Sequence, residues 1–243
     1  MKQSAKVTSI KISNTMINSN YFLLFVYACF LALFTWTIVD VANAPVKSWQ
    51  DWTTVTCGTI SGIFVITSSI LALRKNKHWW IPRIVSIPFF MVNAIITFLW
   101  FELLKWTVLI IPFVYQVISW RKSEQSGSDE LDLHFQELSM KEYIYVLGAL
   151  LAFTGIAGYS MSFSANPYPY LDAAQFAFTI AGAVLVARSN ISAQIFFGIS
   201  NILAFTLMGL VGLYPALITN TLFFILAVFG YTSWKDTMLK QND

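Results

Sequence analysis

Two stretches of this chain decide its architecture. The first is RKNKHWWIPRIVSIPFFMVNAIITFLWFELLKWTVLIIPFVYQVISW, residues 74–120. The second is RSNISAQIFFGISNILAFTLMGLVGLYPALITNTLFFILAVFGYTSW, residues 188–234. A shift of 114 residues superposes them without a gap and gives 11 identities in 47 positions. Apolar composition inflates such a score, so the spacing is the better signal. In both stretches an Arg that closes one apolar run stands 46 residues before a Trp that closes another. Ser86 falls on Ser200, Leu99 on Leu213, Thr107 on Thr221, and Ser119-Trp120 on Ser233-Trp234. A repeat of this size is sought before any other feature, because missing it misreads the whole fold.

The runs inside these stretches are membrane-sized. A transmembrane helix needs about 20 mostly apolar residues to cross a hydrocarbon core of about 30 Å. Uncharged runs cover 21–39, 52–73, 84–101, 143–163, 189–213 and 214–234, with two shorter ones at 106–120 and 173–187. The reading is an all-α integral membrane protein with eight spans. The composition agrees. The chain is 57% apolar and 11% charged, whereas a soluble domain carries about 25% charged residues. A soluble fold, a disordered chain and a nucleic-acid binder are thereby excluded.

Charge sidedness tests the span count. Cytoplasmic loops collect Lys and Arg. With eight spans and the N-terminus inside, 13 of the 15 basic residues fall inside, and only Lys47 and Lys105 fall outside. One missed helix would invert the sides of everything after it. Both termini are therefore placed in the cytoplasm. The stretch Ala42-Asn43-Ala44 resembles a signal-peptide cleavage site, but the apolar run before it is too long for such a peptide, so it is read as a retained helix.

Arg74 and Arg188 both close a helix on the inside, and so do Trp120 and Trp234. The repeats are thus parallel rather than inverted, and each holds three helices. The organisation reads as an extra N-terminal helix at 21–41, a first repeat at 52–120, a cytoplasmic linker at 121–142, a connecting helix at 143–163 and a second repeat at 172–234. This is a 3+1+3 plan, and parallel repeats of this kind are one of the known transporter plans, with substrate at the repeat interface. Within the linker, Leu131, Phe135 and Leu138 fit one face of a short interfacial helix. Trp79, Trp80, Trp120 and Trp234 read as anchors at the membrane interface. Pro88 and Pro112 lie inside spans 3 and 4 and mark possible kinks.

The polar residues narrow the chemistry. Asp40, Glu102, Lys105 and Asp172 sit at outer ends and His78 in an inner loop, so mid-span depth holds no ionisable group. Such groups mark proton relays and ion pathways. Cys29 and Cys57 lie apart in apolar runs, and His78 and His134 lie in loops. No cofactor, metal site or enzyme active site is expected. Neutral groups stand in their place. Gln194, Phe197 and Asn201 are spaced i, i+3, i+7 and share one helix face. Gln175 and Thr179 in span 6, and Asn93 and Thr97 in span 3, are spaced i, i+4. Gln116 lies in span 4 and Asn220 in span 8. Each amide either bridges helices or meets a ligand. Converging amides and an aromatic suit a neutral, ring-containing, hydrogen-bonding small molecule.

Several of these residues carry a family resemblance. Tyr170-Leu171-Asp172-Ala173, the Ala187-Arg188 helix end, Asn201, Gly212-Leu213-Tyr214 and Ala227-Val228-Phe229-Gly230-Tyr231 with Trp234 resemble the PnuC family of vitamin transporters. Ser61-Gly62-Ile63 and Trp120-Arg121-Lys122 match more loosely, and the likeness spans residues 52–235. The resemblance implies a SWEET-like 3+1+3 fold in the inner membrane and a homotrimer. It also implies uptake of nicotinamide riboside by facilitated diffusion, with trapping by phosphorylation inside the cell. The amide-lined, charge-free interior of the chain itself places substrate between the repeats, against Gln175, Thr179, Gln194, Phe197 and Asn201 on one side and Gln116 or Asn93 on the other, with Asn220 a further candidate contact. The chain departs from the family where a Trp-x-x-Trp pair becomes Gln194 and Phe197, where a Gln falls on Ala183, and where an aromatic becomes Asn220. Those departures open the substrate to thiamine, riboflavin or a nucleoside. A sugar carrier and a non-transporting sensor are the remaining readings.

Overall fold

The computed structural model describes residues 20–43, 49–96, 100–122, 124, 132–164, 166–210 and 214–242. Eight helices run through them: α1 (Asn20–Asn43), α2 (Trp49–Leu73), α3 (Trp80–Ile96), α4 (Trp100–Arg121), α5 (Met140–Met161), α6 (Pro169–Ala187), α7 (Ala193–Leu210) and α8 (Tyr214–Asn242). Four of them contain stretches long and apolar enough to cross a membrane: Val55–Leu73, Leu103–Arg121, Met140–Met161 and Pro169–Ala187. The outward faces are apolar as well. Ile111, Leu151 and Ile156 are each more than 70% exposed. A helix whose exposed side is as apolar as its buried side is solvated by lipid, not by water.

Local sequence explains the helix ends. Ser139 caps α5, and the Glu142 carboxylate returns to the Ser139 backbone N–H at 2.7 Å, closing a capping box. Pro169 opens α6, where its missing N–H costs nothing. Pro88 and Pro112 lie inside α3 and α4, which continue through them. Helix α8 has 29 residues. At about 1.5 Å per residue it is about 44 Å long, well beyond the hydrocarbon thickness. Its Lys235–Asn242 end carries the charges Lys235, Asp236 and Lys240.

The chain forms two compact units, divided between Asp132 and Leu133. In the first, α1 packs on α2, α2 on α3 and α3 on α4. In the second, α5 packs on α6, α6 on α7 and α7 on α8. Each unit contains a tight turn between antiparallel helices, and the two turns share their central bonds. After α2, Lys75 takes a left-handed φ of 55°; after α6, Ser189 takes 54°. The Asn76 N–H reaches Leu71 O at 2.9 Å, and the Asn190 N–H reaches Leu185 O at 2.9 Å. The Lys75 N–H bonds Ala72 O, and the Ser189 N–H bonds Val186 O. These two bonds make the Schellman ending of a helix. Asn76 Oδ1 then accepts the His78 N–H at 2.9 Å, and Asn190 Oδ1 accepts the Ser192 N–H at 2.9 Å.

Two expectations are corrected. Residues 132–139 are extended, not helical. Leu133 and Phe135 point inward while Asp132, His134 and Gln136 are exposed, the alternation of a strand. The reason is main-chain pairing: Gln136 donates to Ser189 O at 3.2 Å and accepts from the Ile191 N–H at 2.8 Å. Leu131 lies outside the described residues. The tryptophans are also deeper than interface anchors. Trp79, Trp120 and Trp234 are each 3% exposed or less. Trp120 packs edge-on to Trp79 at 5.0 Å, and Trp234 stacks on Phe135 at 4.8 Å. Trp80 alone keeps a half-exposed position, beneath the Arg121 guanidinium at 4.8 Å.

Candidate functional site

Helix α7 presents three stripes. Ala193, Phe196, Ser200, Ala204 and Leu207 form a fully buried one. Ile195, Ile202 and Phe205 form an exposed apolar one. Between them, at the 100° step of an α-helix, lie Gln194, Phe197 and Asn201. Gln194 is only 8% exposed, while Phe197 and Asn201 are half-buried. Gln194 and Asn201 are separated by about 10.5 Å along the helix axis. That is about the length of a ring joined to a sugar.

The neighbouring helices set the floor of this face. Gly182 on α6 lets the Phe197 ring lie directly on its backbone; a Cβ there would stand 2.8 Å from the ring. Three residues of α6 away, Thr179 donates to Gln175 O at 2.8 Å and shares a 2.6 Å hydrogen bond with Ser200 of α7. Ser200 also reaches Gln175 O at 3.1 Å. This knot joins α6 to α7 and uses the one proton of each hydroxyl, Thr179 donating to Gln175 O and Ser200 to either Thr179 Oγ1 or Gln175 O.

The expected site residues thus divide. Thr179 is engaged in helix packing. Gln175 supplies its carbonyl to the knot and keeps its side-chain amide half-buried on α6. No described side chain hydrogen-bonds the amides of Gln194, Asn201 or Gln175. Asn220 is half-buried on α8 and makes a polar contact of its own. Gln116 belongs to the first unit, on α4, and is 8% exposed. Asn93 lies on α3 with its side chain outside the described residues, and Thr97 lies outside them altogether. An unbonded amide in a low-dielectric interior is costly unless a partner arrives. Gln194 and Gln116, each 8% exposed and without a hydrogen bond from a described side chain, therefore have the strongest physical need for a ligand among these residues.

Ser200 and Gly182 were not expected as parts of this region. Ser200 stood out in the sequence only as the partner of Ser86 in the repeat. Gly182 had no signal, since its role depends on where the Phe197 ring falls.

Comparison with known proteins gives a consistent answer. A family model described as nicotinamide mononucleotide transporter matches residues 55–236. A solved structure, the crystal structure of the vitamin B3 transporter PnuC, superposes with a TM-score of 0.66 at 15% sequence identity. It covers 89% of this chain and 92% of that one. No curated protein matches the chain.

Proposed function

The chain belongs to the nicotinamide mononucleotide transporter family, a family of membrane transporters and not of enzymes, and on that premise we propose that it carries a ring-containing vitamin or nucleoside precursor without a phosphate. Nicotinamide riboside is the foremost candidate. The observation that carries this reading is the face of α7, where Gln194 and Asn201, about 10.5 Å apart along the helix axis, hold unbonded amides on the same face as Phe197. A ring packs on Phe197, and hydroxyls or a carboxamide satisfy the two amides. Neither a phosphate nor a proton relay has a charged partner on that face, which favours the riboside over the mononucleotide.

The energetics follow from the same absence. Without an ionisable coupling group the solute moves down its own electrochemical gradient, which for the pyridinium cation of nicotinamide riboside includes the membrane potential, and phosphorylation inside the cell keeps that gradient inward. The proposal also includes eight spans in the 3+1+3 arrangement, both termini cytoplasmic in the inner membrane, and a homotrimer. The matched turns after α2 and α6, 114 residues apart, support the repeat. A second reading, uptake of thiamine, riboflavin or a nucleoside by the same face, is favoured by one feature. Gln194 and Phe197 stand where the family carries two tryptophans.

The test is uptake of labelled nicotinamide riboside into proteoliposomes, beside the other three solutes. Asn201→Ala is expected to lose at least tenfold in uptake while inserting and melting normally. Uptake unchanged by that substitution would remove the face of α7 from the proposal.

A further inference from the structure

The extended segment before α5 is attached to three parts of the second unit at once. Its main chain pairs with the α6–α7 turn through Gln136. Its Leu138 N–H donates to Ser192 Oγ at 3.1 Å, and Tyr143 of α5 donates to the same oxygen at 2.7 Å. Ser192 lies two residues before Gln194. On the other side the segment grips the end of α8. The Gln241 side chain accepts the Phe135 N–H at 3.2 Å and donates to Leu133 O at 2.6 Å, so one amide reads the main chain as a neighbouring strand would. Glu137 takes an ion pair from Lys235 and a 3.1 Å hydrogen bond from the Tyr231 hydroxyl.

This attachment differs in kind from the helix seams. Within it only Leu133 and Phe135 are buried, Phe135 by its stack on Trp234; the remaining contacts are polar bonds, those to Ser192 and Ile191 buried and those to Lys235, Tyr231 and Gln241 made by long side chains nearer the surface. The Lys235–Glu137 pair, its side chains 18% and 31% exposed, still meets solvent, and solvent-accessible ion pairs add little holding strength. Regions with few buried apolar contacts open at lower free energy than the helices around them. The segment is also covalently tethered at Met140, so a detached copy stays at high local concentration and reseats quickly.

Resting on the transport reading above, we propose that residues 133–138 are a clasp: seated, they hold the end of α8 to the α6–α7 turn and close this end of the unit, and they must detach for each solute that passes. The clasp does not touch the solute. It fixes the turn that leads into Gln194, so its release both frees α8 and loosens the first residue of the polar face.

Locking the clasp tests this. In a Cys29→Ala/Cys57→Ala background, Gln136→Cys and Asn190→Cys place two thiols on paired backbones. Paired strands lie about 4.8 Å apart, within the Cα range that a disulfide spans. Oxidation is expected to cut nicotinamide riboside uptake at least tenfold, with binding, followed by tryptophan fluorescence, held within threefold. Reduction should restore uptake. Uptake within twofold of the reduced protein after complete cross-linking overturns the clasp. Should the double-cysteine protein be inert even when reduced, hydrogen exchange on the unmodified chain decides. The Phe135, Gln136 and Ile191 amides are expected to exchange at least a hundredfold faster than those in the middle of α6. Equal protection overturns the proposal. A chain that moves none of the offered solutes defeats the transport reading instead, and the exchange data still report whether the segment opens.

Discussion

Gln194 and Thr179 look alike in the sequence, as polar residues in apolar helices, yet they do opposite work. The Thr179 hydroxyl is bonded to Gln175 O and Ser200, so a ligand has nothing to gain from it. Gln194 is 8% exposed with its amide unbonded, so a ligand gains what the helix does not provide. The pair can be separated by experiment. Thr179→Val keeps the shape and leaves the Ser200 bond to Gln175 O in place. It should cost about 0.5–1 kcal/mol and lower the melting temperature by about 2 °C, while riboside affinity stays within twofold. A tenfold affinity loss would put Thr179 back among the ligand contacts. The shared face of Gln194, Phe197 and Asn201 was legible because helical periodicity alone fixes it. The Thr179–Ser200 knot was not, because a hydroxyl pair depends on how closely two helices approach.

Elements repeat that contrast. Helix positions follow from apolar run lengths, and all eight runs carry a helix at the expected place. The linker misled because Leu131, Phe135 and Leu138 fit a helical face, while Leu133 and Phe135 equally fit a strand. Free main-chain groups on Ser189 and Ile191 settle the matter, and no local pattern reports them. The comparison of the two turns explains why the segment is needed. Trp79 donates its N–H to Asn76 O at 3.2 Å and covers Trp120; Ala193 donates to Asn190 O at 3.2 Å but has no ring to offer Trp234. Phe135 covers Trp234 instead. Ala193 is fully buried, so Ala193→Trp should destabilise by overpacking about 1–3 kcal/mol. Phe135→Ala should cost about 3 kcal/mol through the cavity it leaves. Combined, the new indole fills the vacated space, and the double variant should recover at least 1 kcal/mol of the summed loss. Denaturation of the four proteins in detergent measures this cycle. Strict additivity would mean that Phe135 and the Trp79 position are not equivalent fillers.

At the scale of the whole molecule, the chain was legible because a membrane restricts what can be built. Every backbone group must be bonded within its own segment, so apolar runs become helices, and basic residues report the side on which each loop lies. The sidedness carries a prediction about the repeat. The turns after α2 and α6 share the position of the left-handed residue, the same Schellman bonds and the same Asn turn. A parallel repeat requires both to lie on one side of the membrane; an inverted repeat places them on opposite sides. In the Cys29→Ala/Cys57→Ala background, single cysteines at Arg74 and Arg188 can be probed with a membrane-impermeant maleimide. Both positions follow the last residue of their helices, where a label has access. Neither should react in intact cells, and both should react after the membrane is opened. Lys47→Cys, assigned to the outside, should react in intact cells and serves as the control. Reaction of Arg74→Cys and Arg188→Cys from opposite sides would invert one repeat, and the 3+1+3 plan would fall with it. Reaction of both in intact cells would keep the parallel repeat but reverse the orientation. The bias of 13 basic residues to 2 makes that outcome the less favoured, since about 1 kcal/mol per Lys or Arg is gained beside an anionic inner leaflet.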